Sequence, residues 1–292
     1  MPTTPARATL LVLLAACCFG SVSILTVLGR AEGATLLGIL FWRYLLGSAG
    51  LLAVSGGPAR VRLPRERLVP IIVLGGAGQA IVTGTSLASL DYIPAATLGF
   101  LFYTYPAWVT VIAAVRGIDR LTVPRVIALA LSLGGILLMV GNPFASRLPT
   151  VGLVLALGSA LTYAIYVPLL NHLGRDVAPA VTSTWLTLGT AVILGAIALA
   201  TAPAQLTALT PRAWGVVVLF ALVSTVLAFT VFLRGLAILG PVRTAIISTV
   251  EPFWTALLGA LVLGQPITKG VVAGGACIAA AVALLQWRPR TR

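Results

Sequence analysis

Long apolar runs, separated by short stretches of Pro, Gly or Arg, fill this chain almost from end to end. A helix of about 20 apolar residues crosses the hydrocarbon core of a bilayer. On that length the runs predict ten membrane helices, at 8–28, 33–54, 68–89, 94–115, 123–141, 150–171, 177–200, 212–235, 241–263 and 268–287. The connections between them are mostly short and leave no room for a folded soluble domain. The run 8–28 is too long for the apolar stretch of a secretory leader and lacks a convincing cleavage site, so it predicts a membrane helix as well.

Polar side chains inside these runs are distributed unevenly. Gln79, Thr83 and Ser86 in the third run fall on one helical face. Ser159, Thr162, Tyr163 and Tyr166 share a face in the sixth, and Thr244, Ser248, Glu251 and Thr255 share one in the ninth, with Trp254 beside them. The fourth run carries Thr97, Tyr103, Thr104, Tyr105 and Trp108; the first offers Ser23 and Thr26, the eighth Ser224 and Thr225. The fifth and tenth runs are nearly all Ala, Leu, Val, Ile and Gly. That asymmetry predicts a polar cavity lined by the first, third, fourth, sixth, eighth and ninth helices, with the fifth and tenth as scaffold or subunit contact. The bland alternative is that each hydroxyl bonds its own helix backbone or a neighbouring helix.

Glu251 raises the sharpest question. It sits immediately before Pro252 among apolar and hydroxylated neighbours, with Arg243 the charge nearest to it in sequence. An acidic side chain at the bilayer centre costs about 2.5–3.5 kcal/mol on an insertion scale. Such a group binds a substrate ammonium, carries a proton, or pairs with Arg43, the other charge deep in a run. Pro106 and Pro252 remove the hydrogen bonds to the carbonyls of Phe102 and Ser248, and Pro168 that to Ala164. Each is either a packed kink or a hinge beside a wet cavity. His172 next to Asn171 is expected at an interface. Cys17, Cys18 and Cys277 read as small packing thiols.

Composition agrees with a membrane chain. Hydrophobic residues make up 59% and charged ones 9%, where soluble domains carry about a quarter charged; mean hydropathy is +1.09. The formal net charge is +13. With the N-terminus inside, 14 of the 19 basic residues fall on the cytoplasmic side, Arg30, Arg147, Arg212 and Lys269 lie opposite, and Arg43 lies within a span. This bias predicts a multi-pass protein of a bacterial inner membrane with both termini cytoplasmic. It also explains the basic charge through anionic lipid rather than nucleic acid. One histidine, no intramembrane Asp and scattered cysteines argue against an enzyme, a cofactor or a metal site.

Residues 97–140 lie over 243–286 without a gap: Pro106 meets Pro252, Trp108 meets Trp254, Ala114 meets Ala260 and Thr122 meets Thr268. Two units of five spans each, 1–145 and 146–292, must insert in opposite senses, the plan of many secondary carriers. The expected fold is therefore all-α, with ten transmembrane helices arranged as two inverted five-helix repeats.

The stretch FWRYLLG at 41–47, the x-P-x-W helix late in each half, and the turns GIDRLT (117–122) and GQPITK (264–269) before a Gly/Ala-rich final helix resemble the drug/metabolite transporter superfamily of EamA type. The pattern is most similar to the YddG-type bacterial amino acid exporters. Where that family commonly has an acidic loop residue in each half, this chain has Asp119 in the first and Gln265 in the second. The resemblance implies export of small metabolites, most of all aromatic or neutral amino acids, by alternating access, and the same set of lining helices. Tyr103, Tyr105, Trp108, Tyr163, Tyr166 and Trp254 then supply aromatic surface. Gln79, Thr83, Ser86, Ser159, Thr162 and Ser248 supply hydrogen bonds, and Pro106 and Pro252 a paired hinge. Because aromatic faces also attract organic cations, the alternative is a multidrug or quaternary-cation pump anchored on Glu251. The expected partners are an amino acid or organic cation, membrane lipid, and at most a second copy in a homodimer.

Overall fold

A computed structural model of the chain describes residues 5–93, 95–117, 122–141, 149–207 and 209–286. Among the described residues all regular structure is helical. The helices are α1 (Pro5–Ala31), α2 (Leu36–Val54), α3 (Arg65–Ala88), α4 (Ala95–Phe102), α5 (Tyr105–Val115), α6 (Val123–Val140), α7 (Thr150–Leu173), α8 (Pro179–Thr201), α9 (Pro211–Ile247), α10 (Val250–Leu263) and α11 (Lys269–Gln286). Among the described residues eight segments are long and apolar enough to cross a membrane, α4 and α5 counting together, while α10 and α11 are shorter apolar helices.

This differs from the even series of runs in two places, both with a local cause. The expected eighth and ninth spans are joined in the 37-residue α9, but the backbone leaves the helix at Gly240 (φ 75°, ψ 171°) just before Pro241. Only glycine adopts that conformation without strain, so the helix axis breaks there. The expected ninth span is then interrupted again at Ser248–Thr249, which is why its second piece, α10, is short. The fourth span is interrupted in the same way at Tyr103–Thr104, between α4 and α5. Two further irregularities are π-helical stretches, Ile71–Gly75 within α3 and Leu222–Leu227 within α9.

Packing follows a repeated plan. α1 lies against α9 and α10, as α7 lies against α3 and α5; α2 pairs with α8, and α6 with α11. Small residues allow the closest approaches. A Cβ on Gly76 of α3 would come within 2.7 Å of the Gly189 backbone of α8, and one on Gly135 of α6 within 2.7 Å of the Gly274 carbonyl of α11. Gly47 of α2 meets Thr225 in the second π stretch, while Gly189 meets Ile72 in the first. Without a hydrophobic drive between helices in lipid, such close backbone contact is what holds them together. Large apolar side chains point outward, among them Leu10, Val73, Val115, Val154, Leu199 and Leu261, as a lipid-facing surface requires. Trp42 meets Trp214 edge-on, 4.8 Å between ring centroids, and donates to the Leu206 carbonyl, and Trp185 donates to the Val61 carbonyl. These are the amphipathic contacts tryptophan makes near a membrane–water boundary.

Candidate functional site

The two helix breaks set the site. Pro106 is the second residue of α5 and Pro252 the third of α10. Neither is a mid-helix kink, as the sequence pattern implied. In the first turn a missing N–H leaves no intrahelical acceptor unserved. The Ser248 carbonyl, expected to be orphaned, accepts from the Glu251 backbone N–H at 3.0 Å. Pro168, by contrast, does lie inside a helix, buried in α7.

The break also explains how a carboxylate is accommodated. Glu251 is in the first turn of α10, where unpaired N–H groups and the helix dipole favour negative charge. What reads as the middle of a membrane helix is the start of one. The equivalent turn of α5 holds no acidic residue, and its cap residue Thr104 makes no side-chain capping bond.

Tyrosines surround the carboxylate. Tyr103, 8% exposed, turns its hydroxyl towards Glu251. Tyr105 is buried against Tyr163 edge-on, 4.7 Å between ring centroids, with Ser248 near its hydroxyl, and Phe102 lies 5.5 Å from both rings. Tyr163 lies within electrostatic range of both Glu251 and Tyr44. Beyond Tyr44 the polar strip continues: Gln79 Nε2 donates to Tyr44 Oη at 2.8 Å and to Thr83 Oγ1 at 3.1 Å. Side chains from α2, α3, α5, α7 and α10, with Tyr103 from the break, are thus brought into one continuous band. Tyr44, which was not singled out from sequence, and Cys17 of α1, which was read there as a packing thiol and lies within range of Glu251, belong to that neighbourhood. The available signal for Tyr44 was its place beside Arg43 in FWRYLLG.

Arg43 is held elsewhere. Only 3% exposed, it donates from Nε to Thr225 Oγ1 at 3.1 Å and from an Nη to the Ser224 carbonyl at 3.0 Å. Its guanidinium also lies over the Phe220 ring at 4.3 Å and the Tyr44 ring at 4.8 Å. A π-helical stretch displaces the regular carbonyl ladder, and here it presents a carbonyl to the arginine. Among the described residues no ion pair joins Arg43 to Glu251.

The remaining expected site residues divide. Ser159 and Thr162 bond the carbonyls of Ala156 and Gly158 in their own helix. Tyr166 donates to the Gly75 carbonyl at the end of the first π stretch, at 3.0 Å. Trp254 packs beside Gly20 of α1, where a Cβ would come within 3.1 Å of its ring; Thr255 donates to the Gly20 carbonyl. Ser86 is half-buried at the far end of α3. Trp108 is 42% exposed on one stripe with Val111 and Val115, the lipid-facing side of α5, and the structure does not bring it to the tyrosines. Asp119 lies outside the described residues.

Two cavities flank the band, at opposite ends of α8. One, of about 580 Å³, lies between the α1–α2 turn, the end of α3 and Leu194 and Ile197 of α8, with Arg30 and Asp91 among its walls. The other, of about 310 Å³, lies between the end of α7, the start of α8 and Leu233 and Leu236 of α9. Among the described residues no group of three or more His, Cys, Asp or Glu side chains is placed to hold a metal ion.

A helical bundle with a lipid-facing exterior, broken helices at its centre and a cavity towards each end is the architecture of a membrane transporter. The comparisons agree: the EamA-like transporter family matches this chain twice, over residues 6–141 and 150–287, and the chain belongs to that family. An uncharacterized transporter of Archaeoglobus fulgidus is 28% identical over 279 residues, covering 95% of each chain. A solved crystal structure superposes with a TM-score of 0.80 over 96% of each chain at 19% identity, which speaks to the fold.

Proposed function

We propose that this transporter exports small metabolites, above all neutral and aromatic amino acids, by alternating access across a bacterial inner membrane. The observation that carries the reading is the Glu251 carboxylate, free of any ion pair among the described residues and set in a tyrosine-lined break between helices. It is an anchor for the ammonium group. The first turn of α5, which lacks an acid, is the complementary anchor for the carboxylate. Tyr103, Tyr105 and Tyr163 receive the side chain, and the breaks beside Pro106 and Pro252 serve as the paired hinge. Gln79 and Thr83 extend the band towards α3.

This reading takes the chain as ten crossings, with the breaks at Gly240 and at the two interrupted spans counted as described. The halves 1–145 and 146–292 then form inverted five-helix repeats, and both termini face the cytoplasm. Its support is the helix packing, which keeps its pattern when the halves are exchanged, together with matching breaks in the fourth and ninth spans. The molecule works as a monomer or a homodimer.

Efflux of quaternary or other organic cations is the second reading, favoured by the combination of one carboxylate with several aromatic faces. Counterflow in proteoliposomes against labelled amino acids and organic cations, with and without a pH gradient, separates the two. Flux of phenylalanine or leucine above the empty-vesicle rate supports the first. Movement of cations alone replaces it with the second, and no flux of either removes both.

A further inference from the structure

The turn between α2 and α3 concentrates charge. Residues 60–67 carry Arg60, Arg62, Arg65 and Arg67 against a single acid, Glu66, and no other acidic residue occurs between positions 33 and 90. All five side chains are exposed, and among the described residues no ion pair or hydrogen bond engages the four guanidiniums. An arginine bias orients a membrane protein whenever the charges stay on one side. Orientation alone does not require that they be held in place.

Here they are held. Trp185 of α8 donates its ring N–H to the Val61 carbonyl at 2.7 Å, Val61 is buried, and Leu63 packs against the core cluster that includes Leu170 and Leu236. Arg62, between these two anchors, faces out. The turn folds back at Gly56 and Gly57, with φ of 86° and 93°, and the Arg60 side chain lies across Gly56, where a Cβ would meet its Cδ at 2.9 Å. Arg65 and Arg67 stand in the first turn of α3, whose outer side continues as apolar surface. Arg65, Val69 and Val73 follow one another at intervals of four residues, and both valines are about half exposed. The three cover about 12 Å of helix at 1.5 Å per residue, close to half of a ~30 Å hydrocarbon core. A fixed cationic shelf therefore lies directly over a lipid-facing stripe.

We propose that this shelf is a docking surface for an anionic phospholipid that carries two phosphodiesters in one headgroup, the diphosphatidylglycerol class. Arg60 and Arg62 meet one phosphate, and Arg65 and Arg67 the other; the planar guanidinium fork matches phosphate oxygens. Four arginines against one glutamate leave residues 60–67 at +3, which favours a doubly charged headgroup over a singly charged one. An acyl chain below Arg65 runs along Val69 and Val73. The surface shares no residue with the tyrosine band, so it does not depend on what the transporter carries.

The test titrates tetraoleoyl cardiolipin, phosphatidylglycerol or phosphatidylcholine into the full chain in detergent and counts bound lipid by native mass spectrometry. Cardiolipin should bind more tightly than phosphatidylglycerol, and about tenfold or more tighter than phosphatidylcholine. The paired variants R60Q/R62Q and R65Q/R67Q should each weaken cardiolipin binding about tenfold. The pair R116Q/R175Q removes the same charge from other exposed turns and should leave the affinity within about twofold of the parent. Trp185→Phe frees the turn without removing charge and should weaken binding about threefold. Water-soluble glycerol 3-phosphate should not compete, because it lacks the chains that Val69 and Val73 receive. If a paired variant unfolds before the lipid is added, the single variants R62Q and R67Q read the same loss at about threefold each. Equal binding of the three lipids, an equal loss in R116Q/R175Q, an affinity indifferent to the arginine variants or to Trp185→Phe, or competition by glycerol 3-phosphate would overturn the proposal.

Discussion

Glu251 and Arg43 are both charged groups in the middle of the bundle, and their surroundings give them different work. Arg43 is fully engaged with Thr225, the Ser224 carbonyl and two aromatic faces, so it behaves as a clamp between α2 and α9. Replacing it with Met removes two charge-assisted hydrogen bonds, each worth about 1.5–3 kcal/mol. The Arg43→Met variant should unfold at markedly lower temperature in detergent, and an unchanged midpoint would show that the clamp contributes nothing. Glu251 meets the Tyr103 hydroxyl and feels the charge of Arg43 through space, with no ion pair among the described residues. Glu251→Gln should leave the unfolding temperature near that of the parent while lowering the initial counterflow rate about tenfold or more, the scale of one lost charged hydrogen bond. Retained flux would remove the carboxylate from substrate binding. Single residues were only partly legible in the sequence. The presence of a functional-looking carboxylate was visible in an apolar run, but the choice between pairing with Arg43 and standing apart was not. That choice depends on a π stretch in α9 that no local composition announces.

At the scale of elements, helix breaks and close packing carry the argument. Pro252 lies in the first turn of α10, so its lack of an N–H costs nothing there. Pro252→Ala should change unfolding stability by less than about 1 kcal/mol, measured by denaturant titration in detergent. Gly274 tells the opposite story: it rests directly on the Gly135 backbone across the α6–α11 pair. Gly274→Leu should cost about 1–3 kcal/mol or more through overpacking, and a neutral result would show that α6 and α11 do not depend on this contact. The apolar helices were readable from hydropathy because lipid demands length and low polarity, and eight described segments are long enough to cross. The breaks were read too simply. A proline marks a missing donor, but whether the helix bends through it or restarts before it is decided by the residues on either side and by the neighbouring helix.

At the scale of the molecule, the two cavities at opposite ends of α8 predict reciprocal exposure. A cysteine placed at Thr35 reports on the larger cavity and one at Pro179 on the smaller. Labelled by a membrane-impermeant maleimide in right-side-out and inverted vesicles, in a background without Cys17, Cys18 and Cys277, the two sites should respond to substrate in opposite directions. Parallel changes would contradict alternating access. The same vesicles test the orientation, since the Thr35 site should react from outside and the Pro179 site from inside.

The sequence alone determined the membrane class, the approximate spans and the family likeness, because the bilayer constrains length and polarity residue by residue and the x-P-x-W signature is contiguous. It also marked most of the tyrosines and Glu251, whose chemistry stands out in apolar surroundings. The tertiary structure decided which of these meet. Ser159 and Thr162 turn back to their own helix, Trp108 faces outward, and Tyr44 joins the band from a helix the pattern had left out. Those outcomes depend on helix rotation and on breaks of the backbone at Gly240, Tyr103–Thr104 and Ser248–Thr249, and rotation about a helix axis is set by contacts between segments far apart in the chain.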